Sequence, residues 1–409
     1  MKILVLNVGS SSMKFKIYDE FNCVIADGNL KRIGIAGEAF AKVEGTKKAM
    51  LEKYIYANKL YSICTLIYGE NTKEYHPIIS NYKEGIKWII DNIIKESIIK
   101  TCLEIDYVGF RIVSGGNIFN KTIELNEQNI EKIREISFLA PMHFISTLDV
   151  LEEAKKFFHN SRFYGVFDNL FHNTIESEVY TYAIPKKWTD KYGIRKYGAH
   201  GLSYEYVASK CEKIISNKER IIVCHLGQGS SICALKNLKS IDTSMGFTPI
   251  DGIPMGTRSG SIDPSIIDYI SKKENKTMDE IFFCLNYKSG LYGISNRSSD
   301  IADLIDSDKP ECILAINILV KRIIDYIGSY MIHLGGLDAL VFTGGAGVNS
   351  YKLRKKIIDK LACCNVKIDE QLNENSVFEK NIALDSSSVG IYIIPSDEEY
   401  GIYKEFKNI

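Results

Sequence analysis

LVLNVGSSSMKFKIY, residues 4–18, reads as an apolar strand, a turn of one glycine and three serines, and a second strand. Ile3 to Leu6 supply the first strand and Phe15 to Tyr18 the second. The same plan returns in IIVCHLGQGSSICAL, residues 221–235, about half a chain later. An echo at that separation predicts a duplicated domain, each copy presenting one hairpin suited to phosphate. Glycine lets a backbone approach a phosphate closely, and hydroxyls and free N–H groups then donate to it. Gly/Ser hairpins also close ordinary turns, so the echo alone does not decide function.

Working outward, the chain of 409 residues exceeds the size at which single cores stop growing, and two domains are expected. Lys+Arg and Asp+Glu both total 51, so the net charge is zero. A protein that lives on nucleic acid or an acidic membrane carries a basic excess, and this one does not. Any anion site must be built locally. Ten cysteines run from Cys23 to Cys364 without a C-x-x-C pair, which fits reduced, mostly buried thiols in a cytoplasm. The apolar run at the N-terminus breaks at Asn7, too early for a signal peptide. Cys312 to Leu334 is the most apolar long segment, but Lys321, Arg322 and Asp325 inside it argue for a buried helix, not a membrane span.

Isoleucines 86, 89, 90, 93, 94 and 98 predict one face of a helix, followed by a strand from Tyr107 to Val113. Pro310 opens the long helix and Gly335-Gly336 ends it. Leu337 to Phe342 is a short buried strand running into TGGAG, then a helix with Leu353, Ile357 and Leu361 on one face.

Several residues carry chemistry. NVGSSSMK, Asn7 to Lys14, reads as an anion cradle or simply as a polar turn. Arg111 closes an apolar strand in VGFRIVSGG, where a guanidinium is costly unless paired. Its partner is either a structural carboxylate or an anionic ligand whose geometry its fork matches. Arg258 sits in the glycine-flanked MGTRSG turn. Two arginines in such turns are what phosphoryl transfer needs, because charge must be stabilised on the equatorial oxygens. Asp168 follows a strand directly, and His143 in APMH and His200 in YGAHG each end a turn. His159, His172, His225 and His333, taken singly, read as structural. TGGAGVNS, residues 343–350, offers backbone N–H groups where a strand meets a helix. Nothing has the spacing of a zinc site, a Ser-His-Asp triad or a dinucleotide fingerprint.

Together NVGSSSMK, GFRIVSGG, LAPMH, VFDNLFH, YGIRKYGAHGLSYEYV, HLGQGSS, DTSMGFTPIDGIPMGTRSGSIDP, KSGLYGIS, VFTGGAGVNS and IPSDEE resemble the acetate kinase family, in order, from residue 3 to about residue 400. Asp242 to Pro264 is the most specific stretch. The resemblance implies an α/β protein with the two-domain actin-like ATPase fold of acetate and sugar kinases, Hsp70 and actin: duplicated ribonuclease H-like domains around a cleft. It implies an N-terminal domain of residues 1–168 plus 399–409 on the carboxylate and phosphate side. Residues 169–398 then form the nucleotide side and the dimer contact. The activity implied is reversible transfer of the ATP γ-phosphoryl group to a carboxylate by a cytoplasmic homodimer using Mg²⁺. Nucleic acid and membrane are not expected partners.

By the same resemblance, Arg111, Asp168, His200, Arg258 and His143 are catalytic, with His143 the less critical histidine. Arg111, Val113, Met142, Ala199 and Pro249 line the acid's pocket. Ser10, Ser12, Lys14, His225, Gly227, Gln228, Gly229, Asp300, Gly345, Ala346, Gly347 and Asn349 handle nucleotide and phosphate. Asn7 and Glu398 serve the metal, with Glu399 as the rival to Glu398 because the alignment of the short tail is loose.

The chain departs from the family pattern around the acyl pocket. Ala199 stands where phenylalanine is usual, Met142 replaces a leucine and Phe144 an asparagine. Losing the ring makes room and predicts an acceptor larger than acetate, such as propionate or butyrate, unless Phe144 refills the space. On the donor side Gln228 replaces asparagine, Ala302 an arginine beside the adenosine, and Val348 a glutamate, which leaves pyrophosphate or another nucleotide open as donor. Phe110 and Ser114 replace histidines flanking Arg111. From other classes, a catalytically weak nucleotide-binding regulator is disfavoured because both arginines and both histidines remain. A sugar kinase needs a general base for its hydroxyl acceptor, whereas paired arginines suit an anion.

Overall fold

The computed structural model describes residues 1–9, 12–34 and 60–406. The chain divides into two compact units, Met1–Asp168 with Glu398–Ile409, and Asn169–Asp397.

The first unit is built on an eight-stranded sheet in the order β5-β4-β3-β2-β1-β6-β8-β7. Its strands are β1 (Ile3–Val8), β2 (Ser12–Tyr18), β3 (Val24–Lys31), β4 (Ile63–Tyr68), β5 (Asn71–Tyr75), β6 (Tyr107–Ile112), β7 (Ile123–Glu124) and β8 (Arg162–Phe167). β1 and β2 form an antiparallel hairpin with Asn7 opposite Lys14. β6 adds to β1 in parallel, and β8 to β6. All six residues of β1 are buried, as a central strand covered on both faces requires. The outer strand β5, Asn-Thr-Lys-Glu-Tyr, is polar and largely exposed, which discourages edge pairing.

Helix α1 (Tyr82–Lys95) starts at Asn81, whose side chain accepts from the Glu84 amide. Ile86, Ile89, Ile90 and Ile93 are buried on it. The predicted isoleucine face is corrected at its end: Ile94 is exposed and Ile98 lies beyond the helix. At 100° per residue Ile94 falls on the margin of the apolar stripe. Helix α2 (Pro141–Phe157) packs on α1 and β6.

The second unit holds a five-stranded sheet in the order β11-β10-β9-β12-β13. Its strands are β9 (Arg220–His225), β10 (Ser231–Lys236), β11 (Lys239–Thr243), β12 (Ala339–Thr343) and β13 (Gly390–Ile393). β9 pairs antiparallel with β10 and parallel with β12, which pairs parallel with β13. This repeats β3-β2-β1-β6-β8 of the first unit, so the echo between hairpins extends to whole sheets. Helix α3 (Gly201–Ile214) buries Tyr204, Val207, Ala208 and Cys211 against this sheet. Helix α4 (Pro310–Leu334) begins with proline in its first turn and ends on Gly335 at φ 73°. Its Ile316, Leu319, Ile323 and Ile327 are core, while Lys321 pairs with Asp325 at 2.7 Å on the exposed side. Among the described residues no helix is long and apolar enough to cross a membrane. The expected TGGAG turn is instead a short helix, Gly344–Asn349, entered directly from β12, and helix α5 (Tyr351–Asp359) follows it.

Glu398, expected at the end of the second domain, groups with the first unit. It opens the C-terminal helix Glu398–Phe406, which packs on β1, β2 and β6. Gly109 in β6 permits this approach: a Cβ there would lie 2.5 Å from Phe406 Cε2. All ten cysteines are free thiols.

Candidate active site

In the first unit the site starts where β1 ends. Asn7, next to the last residue of the strand, donates from Nδ2 to Glu398 Oε2 at 3.0 Å and to Glu399 Oε1 at 2.7 Å. Both glutamates thus meet Asn7 although they lie at the far end of the sequence, and Glu399 is the more buried. Across the hairpin, Glu399 and then Glu398 hold the Lys14 ammonium above its ordinary range, against a lowering by burial. Gly9 N–H donates to the Ser12 carbonyl at 2.9 Å, and Tyr82 Oη donates to the Gly9 carbonyl at 2.7 Å, which holds Gly9 in place. Ser10 and the side chain of Met142 lie outside the described residues.

Arg111 projects from β6 with its side chain 11% exposed and meets Asp168 Oδ2 at 2.7 Å. Asp168 is wholly buried. Burial lowers the guanidinium, but Asp168 and Glu398 outweigh it and raise it. The structural pairing left open by the sequence is therefore present. It does not use up the arginine. Nε is buried without a hydrogen-bond partner, and Glu398 Oε2 lies 3.9 Å from it. A guanidinium with one orphaned N–H is poised for an anion. Val113 is buried just beyond the strand. His143 was read as ending a turn; it lies instead in the first turn of α2, because Pro141 starts that helix.

In the second unit His200 caps α3 with left-handed backbone, φ 58° and ψ 22°. The preceding Gly198 is at φ 74°, and a Cβ there would meet His172 Cδ2 at 2.6 Å, so only glycine fits. His200 Nδ1 is 2.8 Å from Ser231 Oγ in β10. Its ring stacks on His225, with centroids 4.1 Å apart and planes 17° apart. His225 Nδ1 in turn meets Ser203 Oγ at 2.8 Å. A Cβ added to Gly229 would lie 3.2 Å from His200 Nε2 and 3.8 Å from Arg258 Nη1. The histidine and the arginine therefore flank one glycine whose missing side chain leaves room. Arg258 Nη1 donates to the Pro249 carbonyl at 3.4 Å and approaches Met255 Sδ at 3.6 Å. Ala199 is buried with Met245 and Met255.

His172 is structural, as read: its nitrogens meet Ser240 Oγ at 2.8 Å and the Ala199 carbonyl at 3.0 Å. Burial pushes it down to about 4.

Beside this group a cavity of about 480 Å³ is lined by Gly227, Gln228, Asp300, Gly345, Ala346 and Asn349, all read as nucleotide residues. Gly227 N–H meets Ser230 Oγ at 3.0 Å, and the Gln228 carbonyl accepts from Gly256 at 3.1 Å. His225, Gly229 and Gly347 do not line this cavity. Ala302 does, whereas the Val348 side chain is buried in the apolar core and so does not alter the donor pocket as its substitution suggested. Sequence reading missed Tyr351 and Lys352, which also face the cavity. It also missed Arg354, which lies behind the wall, fully buried, donating to the carbonyls of Gly347 at 2.9 Å and Val348 at 2.7 Å. An arginine beside the apolar stripe of Leu353 and Ile357 was the available signal.

Among the described residues no three His, Cys, Asp or Glu side chains gather to cage a metal ion. Asn7 and Glu398 nevertheless supply hard oxygen donors in a set that suits Mg²⁺ held mainly by phosphates.

A model of the acetokinase family matches residues 2–404. The acetate kinase of Phytoplasma mali is 42% identical over 409 residues, 99% of this chain and 98% of the relative. That of Thermoanaerobacterium thermosaccharolyticum is 38% identical over all of this chain and 99% of its own. Among solved structures, a propionate kinase from Francisella tularensis superposes with a TM-score of 0.85 at 36% identity, covering 100% of this chain and 99% of that one. The Porphyromonas gingivalis acetate kinase gives 0.80 at 33%, with the same coverage.

Proposed function

The chain belongs to the acetokinase family, and from that premise we propose that it moves the γ-phosphoryl group of ATP reversibly onto acetate or another short-chain carboxylate, giving an acyl phosphate. The observation that carries this reading is Arg258 and His200 flanking Gly229 next to the nucleotide-sized cavity. Arg111, with its orphaned Nε, is the counterpart on the first unit.

A carboxylate is already anionic, so the reaction needs alignment and charge stabilisation but no strong base. A carboxylate oxygen bonds to the γ-phosphorus as the bond to the ADP oxygen breaks, and ADP leaves as an anion. Arg111 holds the acid and is itself oriented by Asp168. Arg258 and His200 donate to the phosphoryl oxygens, His143 plays a lesser part, and Ser10, Ser12 and Lys14 cradle the phosphates. Asn7 and Glu398 would hold a nucleotide-borne Mg²⁺, whose contribution when bound is to offset phosphate charge. Met142, Val113, Ala199 and Pro249 bound the acyl group.

An acyl-hydroxamate assay with ATP, Mg²⁺ and a panel of acids tests the activity. Arg258→Ala is expected to lose on the order of 10²–10³ in kcat, the scale of one preorganised donor. Near-normal turnover by that variant would contradict the reading.

A second reading takes a larger acid, favoured by the small Ala199 beside His200 and by the propionate kinase among the relatives. Highest kcat/KM for acetate across the panel rules it out. ATP is preferred to pyrophosphate as donor because the cavity has an apolar wall, Ile301, Ala346 and Tyr351, that pyrophosphate leaves empty. The enzyme is further read as a cytoplasmic homodimer in which Phe282, Phe283 and Tyr269, exposed on the single chain, are covered by a second copy. Light scattering checks that mass.

A further inference from the structure

Behind His200 runs a hydrogen-bonded line that no substrate can touch. Ser231 Oγ lies 2.8 Å from His200 Nδ1 and 2.5 Å from Tyr204 Oη. Tyr204 and Ser231 are both completely buried, and Tyr204 sits one helical turn after His200 on α3. A serine hydroxyl has one proton to give, so with one neighbour on each side it accepts from one and donates to the other. A phenol is a far stronger acid than an alcohol, which sets the direction: Tyr204 donates to Ser231, and Ser231 donates to His200 Nδ1. The proton of the neutral imidazole then resides on Nε2, the atom that faces Gly229 and Arg258. The opposite tautomer would point a lone pair at an anionic phosphoryl oxygen.

We propose that Tyr204 and Ser231 are positioning residues that hold His200 as a neutral Nε2–H donor to the transferred phosphoryl group. This rests on the phosphoryl-transfer reading given above. The groups facing His200 agree with it. Arg258 lies across Gly229, so an added positive charge on His200 would be opposed by that guanidinium, while Tyr204 acts on it through Ser231. The left-handed backbone at residue 200 is the second constraint that keeps the ring in this place.

Tyr204→Phe removes one oxygen and nothing else. It is expected to lower kcat about 10-fold while KM for acid and nucleotide stays within roughly two-fold. Ser231→Ala should do the same, and the double variant should be no worse than Ser231→Ala, because both act through one line. In the wild-type enzyme, ¹⁵N NMR of histidine-labelled protein at neutral pH, with His200 assigned by difference from His200→Gln, should show Nε2 protonated and Nδ1 bare. Wild-type kcat in Tyr204→Phe, multiplied losses in the double variant, or an Nδ1-protonated His200 would each overturn the proposal. An intact enzyme that phosphorylates no acid would instead defeat the functional reading, so the two failures are separate.

Discussion

Replacing Arg354 by methionine tests whether the wall of the nucleotide cavity depends on a hydrogen-bonding fork or on a charge. Arg354 is 0% exposed, and among the described residues no carboxylate pairs with it. Its five N–H groups go to Asn373 Oδ1 at 2.7 Å, Gly347 O at 2.9 Å, Val348 O at 2.7 Å, Asn373 O at 2.8 Å and Ser376 Oγ at 3.1 Å. Burial pushes the guanidinium down to about 10, from an ordinary 12.5. That depression corresponds to about 3 kcal/mol of cost at neutral pH, which methionine recovers. Methionine also strands four buried acceptors at ~1.5 kcal/mol each, the half-buried Ser376 hydroxyl costing little, so the net loss is ~3 kcal/mol. Lysine keeps the charge and its cost but has three donors and no planar fork, so it should be at least as destabilising as methionine. Urea denaturation at pH 7, with equal m-values, reads the stability, and the nucleotide KM should rise in both variants because Gly347 and Val348 belong to the short helix whose Gly345, Ala346 and Asn349 line the cavity. Recovery of wild-type stability by lysine, or a methionine variant within ~1 kcal/mol of wild type, would refute the reasoning.

Three other substitutions or conditions carry definite expectations. His172 is held down at about 4 by burial, below its ordinary 6.5, so the unfolded chain takes the proton first as pH falls between those values. Stability should therefore drop by about 2 kcal/mol from pH 7 to pH 5, and His172→Gln should flatten that slope in urea titrations at both pH values. Gly198→Ala puts a Cβ 2.6 Å from His172 Cδ2 and 2.7 Å from Thr243 Cγ2 at a φ of 74°. A loss of ~2–3 kcal/mol is expected, with a fall in kcat because His200 is two residues on; unchanged melting and turnover would contradict the packing. Arg111→Ala removes the cation paired with the buried Asp168 carboxylate and should cost about 3 kcal/mol as well as activity. Adding Asp168→Asn should restore stability without activity, and a double variant as unstable as the single one would show that the pair is not the cause.

Local sequence was enough for what local physics controls. Alternating and continuous apolar runs, broken by glycine and serine, set out the two hairpins, and proline and glycine marked both ends of α4. Arg111 in an apolar strand announced that it must have a partner. The tertiary fold decided who the partners are. Glu398 and Glu399 reach Asn7 across 391 and 392 residues only because the C-terminal helix lies on β1 and β6, and no periodicity records that approach. His225, read as structural when taken singly, is stacked on His200 because β9 and α3 pack at one point. Arg354 became a buried clamp because α5 turns it toward the carbonyls it supports. Spacing along a chain encodes the face of a strand or helix; which two faces meet depends on sheet order and helix packing, and those are settled by the whole chain at once.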